Sequence, residues 1–419
     1  MLTERWLRII PVAFVMYTIA FIDRTNISLA LPRISLDLQM DAAQGGGAAG
    51  AFFWGYFLLQ IPGGFLASRW SAKHFVSLLL VTWGVCAIAC GFVRSKEELW
   101  VMRFLLGIAQ GGVWPATLVL LANWFPRVER ARANSYWMLC LPAAMILSSP
   151  LSGWILDGWG WRVLLISEGL LPFAWLPVWL TCIHDSPDRA PWISASERQE
   201  LKNKLHGEAA EIEGVGAPVW RTLISFPVVV LVVINFLIAT FNYGCLFWFP
   251  SAFESLAQLS SFETGVLYAL PYLLAGVGMV LFSRHSDKTG ERRNHVAIGL
   301  ALSGTLLLLG SLLSGHWLLV SFALICFSSV GSWGVLGSFW AIPTETLPRA
   351  SVGAALGLIN AIGNLGGYAG PKLVGYLTNQ TGNFVFAFSV LSLLLLLGTS
   401  LLFCVRSQRV AVEQNAVVR

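Results

Sequence analysis

Phe21-Ile22-Asp23-Arg24-Thr25-Asn26 is the stretch on which the reading of this chain turns. It lies inside residues 9–31, which are otherwise apolar and long enough to cross a bilayer, since a helical span needs about 20 residues. A carboxylate and a guanidinium at that depth are expensive, and residues of this kind normally face a bundle interior or a water-filled cavity, where they handle ions or substrate. The plainer reading is a tie between helices. Adjacent residues on a helix point about 100° apart, so Asp23 and Arg24 are badly placed to satisfy only each other. Both need partners elsewhere.

Working outward, hydrophobic residues make up 56% of the 419 positions and charged residues 12%, about half the charge of a soluble domain. The chain is therefore expected to be an all-α membrane protein. The apolar runs predict twelve transmembrane helices, at 9–31, 48–67, 75–93, 99–122, 134–156, 162–183, 225–249, 263–283, 296–314, 317–341, 351–373 and 383–405. No small-residue cleavage site follows the first run, so it is expected to stay as a helix. The seven cysteines lie in or beside apolar runs without a C-x-x-C pair, so they read as packing residues and no metal or cofactor is expected. The histidines sit at or beyond the ends of runs, which leaves a mid-membrane histidine relay without support. The basic residues are scattered among short loops, and nucleic acid is not an expected partner.

One long polar stretch, 184–224, divides the spans six and six. The expected organisation is a first half at 1–183, a linker at 184–224 and a second half with its tail at 225–419. Within the linker, Ser194-Ala195-Ser196-Glu197 has a capping-box pattern that opens a short charged helix to His206. Glu208 to Gly216 reads as a flexible link. With the N-terminus inside, 20 of the 27 lysines and arginines fall on the cytoplasmic side, so both termini and the linker are expected there. A repeat runs at a shift of about 220 residues: Gly64 to Arg69 recurs as Ser283 to Asp287, Phe125-Pro126-Arg127 as Leu347-Pro348-Arg349, and Pro150 to Gly153 as Pro371 to Gly375. Two six-span halves in one orientation form a parallel repeat, with the substrate site expected near the midplane between them.

In order along the chain stand Phe21 to Arg24, Phe52 to Tyr56 with Gln60 to Gly64, Arg103 to Gly107 with Trp114-Pro115, Trp124-Phe125-Pro126, Gly160-Trp161-Arg162 with Glu168-Gly169, Ser286-Asp287 with Arg292-Arg293, and Asn360 through Gly367. Over nearly the whole chain this set resembles the major facilitator superfamily, and within it the anion:cation symporter branch. That branch includes carriers of tartrate, phthalate, hexonates and hexarates, and animal organic-anion carriers. The resemblance implies two pseudo-symmetric six-helix halves that rock around a central site, and proton-coupled import of a small organic acid anion. Two departures stand out. The loop after span two has Ser68 and Ser71 where the pattern has Asp and Gly, which weakens an expected carboxylate contact, whereas the second-half copy keeps Asp287. Sugar-acid relatives carry a proton-coupling Glu seven residues after the span-four Arg, and here that position is Gln110, which cannot titrate.

Counting 1.5 Å per residue, Arg24 lies about 12 Å below the outer end of its span, Arg103 about 6 Å and Gln110 about 16 Å. The three are expected to line one cavity. Arg24 is assigned to the substrate carboxylate, because a planar guanidinium donates two parallel bonds. Arg103 is a second substrate candidate, with a helix tie as the competing reading. Asp23 is the expected proton carrier: an anion on Arg24 would loosen that Arg's hold on the Asp23 charge and favour protonation, which links the two in symport. Glu168 reads as structural, pairing with Arg103 or a backbone group. Tyr56 and Gln60 in the first half, and Tyr268 and Tyr272 in the second, are spaced four apart on one helix face and are expected at the cavity. Trp137 is expected to supply an apolar wall. Asn235, Asn242, Tyr243 and Asn360 offer the second half's polar groups, while Asn364, beside Gly366 and Gly367, reads as helix glue. Arg69 and Asp287 are expected to be gate and topology elements.

The expected partners are a small organic acid anion, protons and the lipid bilayer of a bacterial inner membrane, with the chain acting as a monomer. A uniporter or anion exchanger is the alternative that Gln110 keeps open. A transporter-like sensor would need an output domain that the linker is too short to be. An enzyme is not expected, since the spans hold no Ser/His/Asp, metal-ligand or phosphate-loop arrangement.

Overall fold

The computed structural model describes residues 4–210, 219–257, 259–347 and 349–404. Part of the expected flexible link and the basic residues of the C-terminal tail lie outside the described residues. The described chain is helical, with no strand. The first half comprises α1 (Glu4–Thr25), α2 (Ile27–Asp37), α3 (Ala42–Arg69), α4 (Ala72–Cys90), α5 (Lys96–Gly111), α6 (Val113–Trp124), α7 (Arg127–Met138), α8 (Cys140–Gly169) and α9 (Leu171–Cys182). The linker carries α10 (Ala195–Ala210) and α11 (Val219–Leu223). The second half comprises α12 (Phe226–Ala257), α13 (Ser261–Thr289), α14 (Arg293–Leu313), α15 (Leu318–Gly334), α16 (Leu336–Thr346), α17 (Arg349–Gly363), α18 (Gly366–Thr381) and α19 (Phe384–Leu401).

Ten stretches are long and apolar enough to cross a bilayer. One of them, Arg132–Cys182, is 51 residues long and turns at Gly160, whose φ of +82° suits glycine. With α17 and α18 beside these, the architecture accords with twelve crossings in two halves. The starts of several helices follow local chemistry. Asp41 and Gln44 form a capping box on α3, and Ser260 and Glu263 form one on α13.

Several crossings are two helices joined across a break, and the breaks recur between halves. Gly112 between α5 and α6 corresponds to Val335 between α15 and α16, and Leu139 between α7 and α8 corresponds to Leu365 before α18. These positions continue the repeat seen in the sequence. A further break, at Asn26, has a side-chain cause. Arg103 of α5 donates to the carbonyls of Asp23 (3.4 Å) and Arg24 (3.1 Å), which would otherwise accept from the next helical turn. Beyond the break the first crossing runs to Asp37, six residues past its expected end, and Arg24 sits about 20 Å from that end.

The halves meet closely on the face that carries Arg33, Asp157 and Ser261, here called the far face. Backbone touches backbone there. A methyl on Gly46 would overlap the carbonyl oxygen of Pro371, and one on Gly375 would overlap that of Ala42. Gly153 and Ser261, and Gly265 and Ser149, are in the same relation where α8 crosses α13. A polar cluster adds to this seam. Arg33 donates to Asp157 at 2.5 Å and to Ser261 Oγ at 2.8 Å, and Asp157 accepts the N–H of Phe262 at 2.8 Å and of Ser261 at 3.3 Å.

On the opposite, near face, Arg5 reaches Glu129 at 3.0 Å and Glu197 of α10 at 3.4 Å, tying the linker helix to the first half. Ser194 Oγ accepts the N–H of Glu197, as its capping role requires, and the helix runs on to Ala210.

Candidate functional site

Between the halves lies a cavity that encloses about 640 Å³ of empty space, counting its open mouth. The first half lines it with Tyr17, Phe21, Arg24, Tyr56, Trp114, Met138 and Leu141. The second half contributes Asn235, Ile238, Ala239, Asn242, Tyr243, Trp333, Leu336, Trp340, Asn360 and Asn364. Arg24 is the one charged side chain among these. It is 3% exposed, and no ion pair reaches it among the described residues. Its Nη1 donates to Tyr243 Oη across the halves at 3.5 Å and its Nη2 to Tyr17 Oη at 3.4 Å, both long, while its Nε has no partner. The guanidinium carbon stands 4.7 Å from the Tyr56 ring centre and 5.2 Å from that of Phe52, a cation against aromatic faces. A buried cation with weak neutral partners has bonding capacity left for an anion.

The other expected site residues divide. Tyr56, Asn242, Tyr243 and Asn360 stand in the lining with Arg24. Asn364, expected as helix glue, lines the cavity as well, and its amide donates to Asn360 Oδ1 at 2.8 Å. Asn235 lines it while donating to the carbonyl of Ile359 at 2.9 Å.

Several expectations are corrected by the geometry. Arg103 does not reach the cavity: besides the carbonyls of Asp23 and Arg24 it bonds that of Ala49 at 3.4 Å, so it ties three crossings together through backbone oxygens. Gln110 and Gln60 are buried outside the lining, with side-chain amides that have no partner. Trp137 stands one layer back, packed on Tyr17 (5.0 Å between ring centres) and Trp114 (4.6 Å), and Trp114 forms the wall instead. Tyr268 and Tyr272 do pair, hydroxyl to hydroxyl at 3.2 Å, but Tyr268 also donates to the carbonyl of Leu246, and Tyr272 packs behind Trp333.

Asp23 faces away from Arg24, as the angle between neighbouring helical residues requires. Its Oδ2 accepts from Trp83 Nε1 at 2.8 Å, and its Oδ1 has no partner. The direct hold of Arg24 on Asp23 that the sequence suggested is absent. Glu168 is paired neither with Arg103 nor with a backbone group. It accepts from Ser152 Oγ at 2.6 Å, its second oxygen is unpartnered, and it interacts electrostatically with Asp23. Two buried carboxyl groups thus share the interior of the first half, outside the cavity lining.

At the near face, Arg69 is exposed over the Phe65 ring, and Ser68 bonds only within its own helix. The carboxylate that the loop after α3 lacks comes from elsewhere: Asp185 accepts from Ser71 Oγ at 2.6 Å and from the N–H of Lys73 at 2.9 Å, at the start of α4. In the second half Asp287 pairs with Arg292 at 2.5 Å, which also holds Glu345 of α16 at 3.0 Å. Among the described residues no group of three or more His, Cys, Asp or Glu side chains converges.

The sequence reading missed Tyr17, Phe21, Trp333 and Trp340 as lining residues. Tyr17 lies seven residues before Arg24, on its face, and Trp333 and Trp340 are likewise seven apart, across the break at Val335. That spacing was a usable signal for each.

A helical bundle of two repeated halves, closed on one face around a central cavity with a lone cation, is the architecture of a secondary transporter. Residues 13–371 match the family model described as Major Facilitator Superfamily, and the chain belongs to that family. It is 31% identical over 95% of its length to a protein of Acinetobacter baumannii named a quinolone resistance transporter, covering 93% of it. It is 32% identical to an Agrobacterium vitis protein named for tartrate transport, covering 97% of this chain and 91% of that one. It is 28% identical to an Escherichia coli K12 protein named for galactarate and D-glucarate transport, over 90% of this chain and 89% of the relative. Among solved structures, a bacterial homologue of the human lysosomal transporter Spinster gives a TM-score of 0.76 at 16% identity, covering 96% and 97% of the two chains. The xylose transporter XylE of E. coli gives 0.76 at 14% identity, covering 97% and 98%. The chain is a membrane transporter related to the organic-acid permeases of its family.

Proposed function

We propose that the protein imports a small organic acid anion together with a proton, by rocking its halves around the Arg24 cavity. The observation that carries this reading is the state of Arg24: a buried guanidinium at the junction of the halves, without a carboxylate partner and with only long bonds to two tyrosines. A substrate carboxylate would complete its coordination by a bidentate contact. In this reading Tyr17, Tyr56 and Tyr243 orient the guanidinium, and Asn242 and Asn360 meet the polar body of the substrate. Relatives named for tartrate and for galactarate and D-glucarate favour an organic acid. Asp23 carries the proton, with Glu168 as its neighbour. The Lys/Arg distribution supports cytoplasmic termini, and in this reading the far face is the outer one.

A second reading, an exchanger or uniporter, is favoured by two specific observations. Gln110 replaces a titratable group, and Asp23 is turned from the cavity toward Trp83. The test of the anion site is Arg24→Lys in proteoliposomes. The charge is kept and the fork is lost, so uptake should fall nearly to background. Normal uptake with normal apparent affinity would move the anion site elsewhere. A pH gradient imposed on the wild type separates the two readings, because only the symporter accumulates substrate in response.

A further inference from the structure

The composition of the cavity wall says more about the cargo than its charge does. A polyhydroxylated acid brings a hydroxyl on nearly every carbon, and each one buried without a partner carries a desolvation penalty. The groups this wall can offer them are the hydroxyls of Tyr17, Tyr56 and Tyr243, three indole N–H groups and its asparagine amides, fewer than its ring surface. Arg24 takes the carboxylate. The amide of Asn364 is engaged with Asn360, and that of Asn235 with the carbonyl of Ile359. Asn242, buried with its Oδ1 unpartnered, and Asn360, whose side-chain NH2 donates to no group among the described residues, are the amides left open. No second cation lines the cavity to receive the other carboxylate of a diacid.

What the wall offers instead is ring surface from both halves. Trp114 stands on the first-half side, braced by Tyr17 at 5.3 Å and Trp137 at 4.6 Å between ring centres. Trp333 stands on the second-half side, edge-on to Phe21 at 6.3 Å and Tyr272 at 5.9 Å, with Trp340 one helical repeat further along. These rings are held by other rings, so they are preorganised as flat walls rather than free to collapse.

Resting on the anion-transport reading above, we propose that the cargo is an aromatic monocarboxylate: its carboxylate on Arg24, its ring between Trp114 and the Trp333–Trp340 pair, and one polar ring substituent or ring nitrogen at Asn242. Ring-on-ring contact is worth enough beyond area burial to give about tenfold in affinity over a saturated ring of the same size.

The test uses the purified full chain in lipid nanodiscs and isothermal titration calorimetry with four probes: benzoate, cyclohexanecarboxylate, L-tartrate and D-glucarate. Benzoate should bind about tenfold tighter than cyclohexanecarboxylate, and more tightly than either diacid. Trp340→Leu should remove the preference for the flat ring, and a thermal midpoint measured on the same sample shows that the variant is folded. Arg24→Lys should weaken all four probes. If tartrate or glucarate binds best, and Arg24→Lys abolishes that binding, the aromatic assignment is overturned and the anion site stands. If Arg24→Lys leaves every affinity unchanged, or no probe binds, the anion-site reading fails with it. Equal affinity for benzoate and cyclohexanecarboxylate, or a preference for benzoate that survives Trp340→Leu, overturns the aromatic clamp.

Discussion

Asp157→Ala should loosen the far face by an amount that can be worked from its contacts. Asp157 accepts from Arg33 at 2.5 Å and from the first two N–H groups of α13, at 3.3 and 2.8 Å. The two N–H bonds reach across the halves, so they exist only while that face is shut, whereas Arg33 belongs to the same half as Asp157 and its pair survives opening. A carboxylate at a helix N-terminus is worth about 0.3–1 kcal/mol at such exposure. Its loss is roughly a two- to fivefold change in the ratio of open to shut far face. The assay is the distance between spin labels at Glu97, at the start of α5, and Gln380, at the end of α18, both exposed. The long-distance fraction should grow about two- to fivefold in Asp157→Ala, with the thermal midpoint little changed. An unchanged distance distribution in a folded variant would show that the cluster decorates the seam without holding it.

Arg103 and Arg24 should separate in stability, although both are buried arginines in the first half. Arg103→Ala strips partners from three backbone carbonyls, a loss of about 1–3 kcal/mol, and should lower the thermal midpoint. Arg24→Ala removes a buried cation that has no counter-ion, and should leave the midpoint unchanged or raised while uptake is lost; equal destabilisation by the two would refute the division of roles. Asp23→Asn should end accumulation driven by a pH gradient and leave substrate exchange running, as counterflow in proteoliposomes would measure. If that variant still accumulates substrate, Glu168→Gln becomes the discriminating change.

Much of this architecture was legible because lipid imposes a simple rule. Apolar runs mark crossings, and the charges inside them stand out. Arg24 was visible as a charge with no local partner, and it is the charge that faces the cavity. Arg103 carried the same signal but bonds to carbonyls, because a helix face can point at a neighbouring backbone as readily as at a cavity, and spacing cannot tell the two apart. Tyr268 and Tyr272 share a face and bond each other, yet that face meets Leu246. The end of the first crossing was misplaced because Pro32 and Arg33 read as its end, whereas the helix carries Pro32 within it and Arg33 finds a partner in Asp157, which is remote in sequence. Trp333 and Trp340 carried only their seven-residue spacing: in an apolar span a tryptophan raises no alarm, so the walls of the cavity were harder to read than its cation.

The glycine seam between the halves has a consequence for how the far face moves. Residues such as Gly46, Gly153, Gly265 and Gly375 have no side-chain rotamers to freeze, so closing the seam there costs none of the side-chain entropy that interdigitating residues would lose. What holds it is short-range attraction between backbone surfaces, and a gap of about 0.5–1 Å already forfeits a quarter to a half of that attraction. A seam of this kind resists small displacements and then yields all at once. Partial opening gains nothing, so the face should spend its time either shut or fully parted, and the passage between the two should be brief.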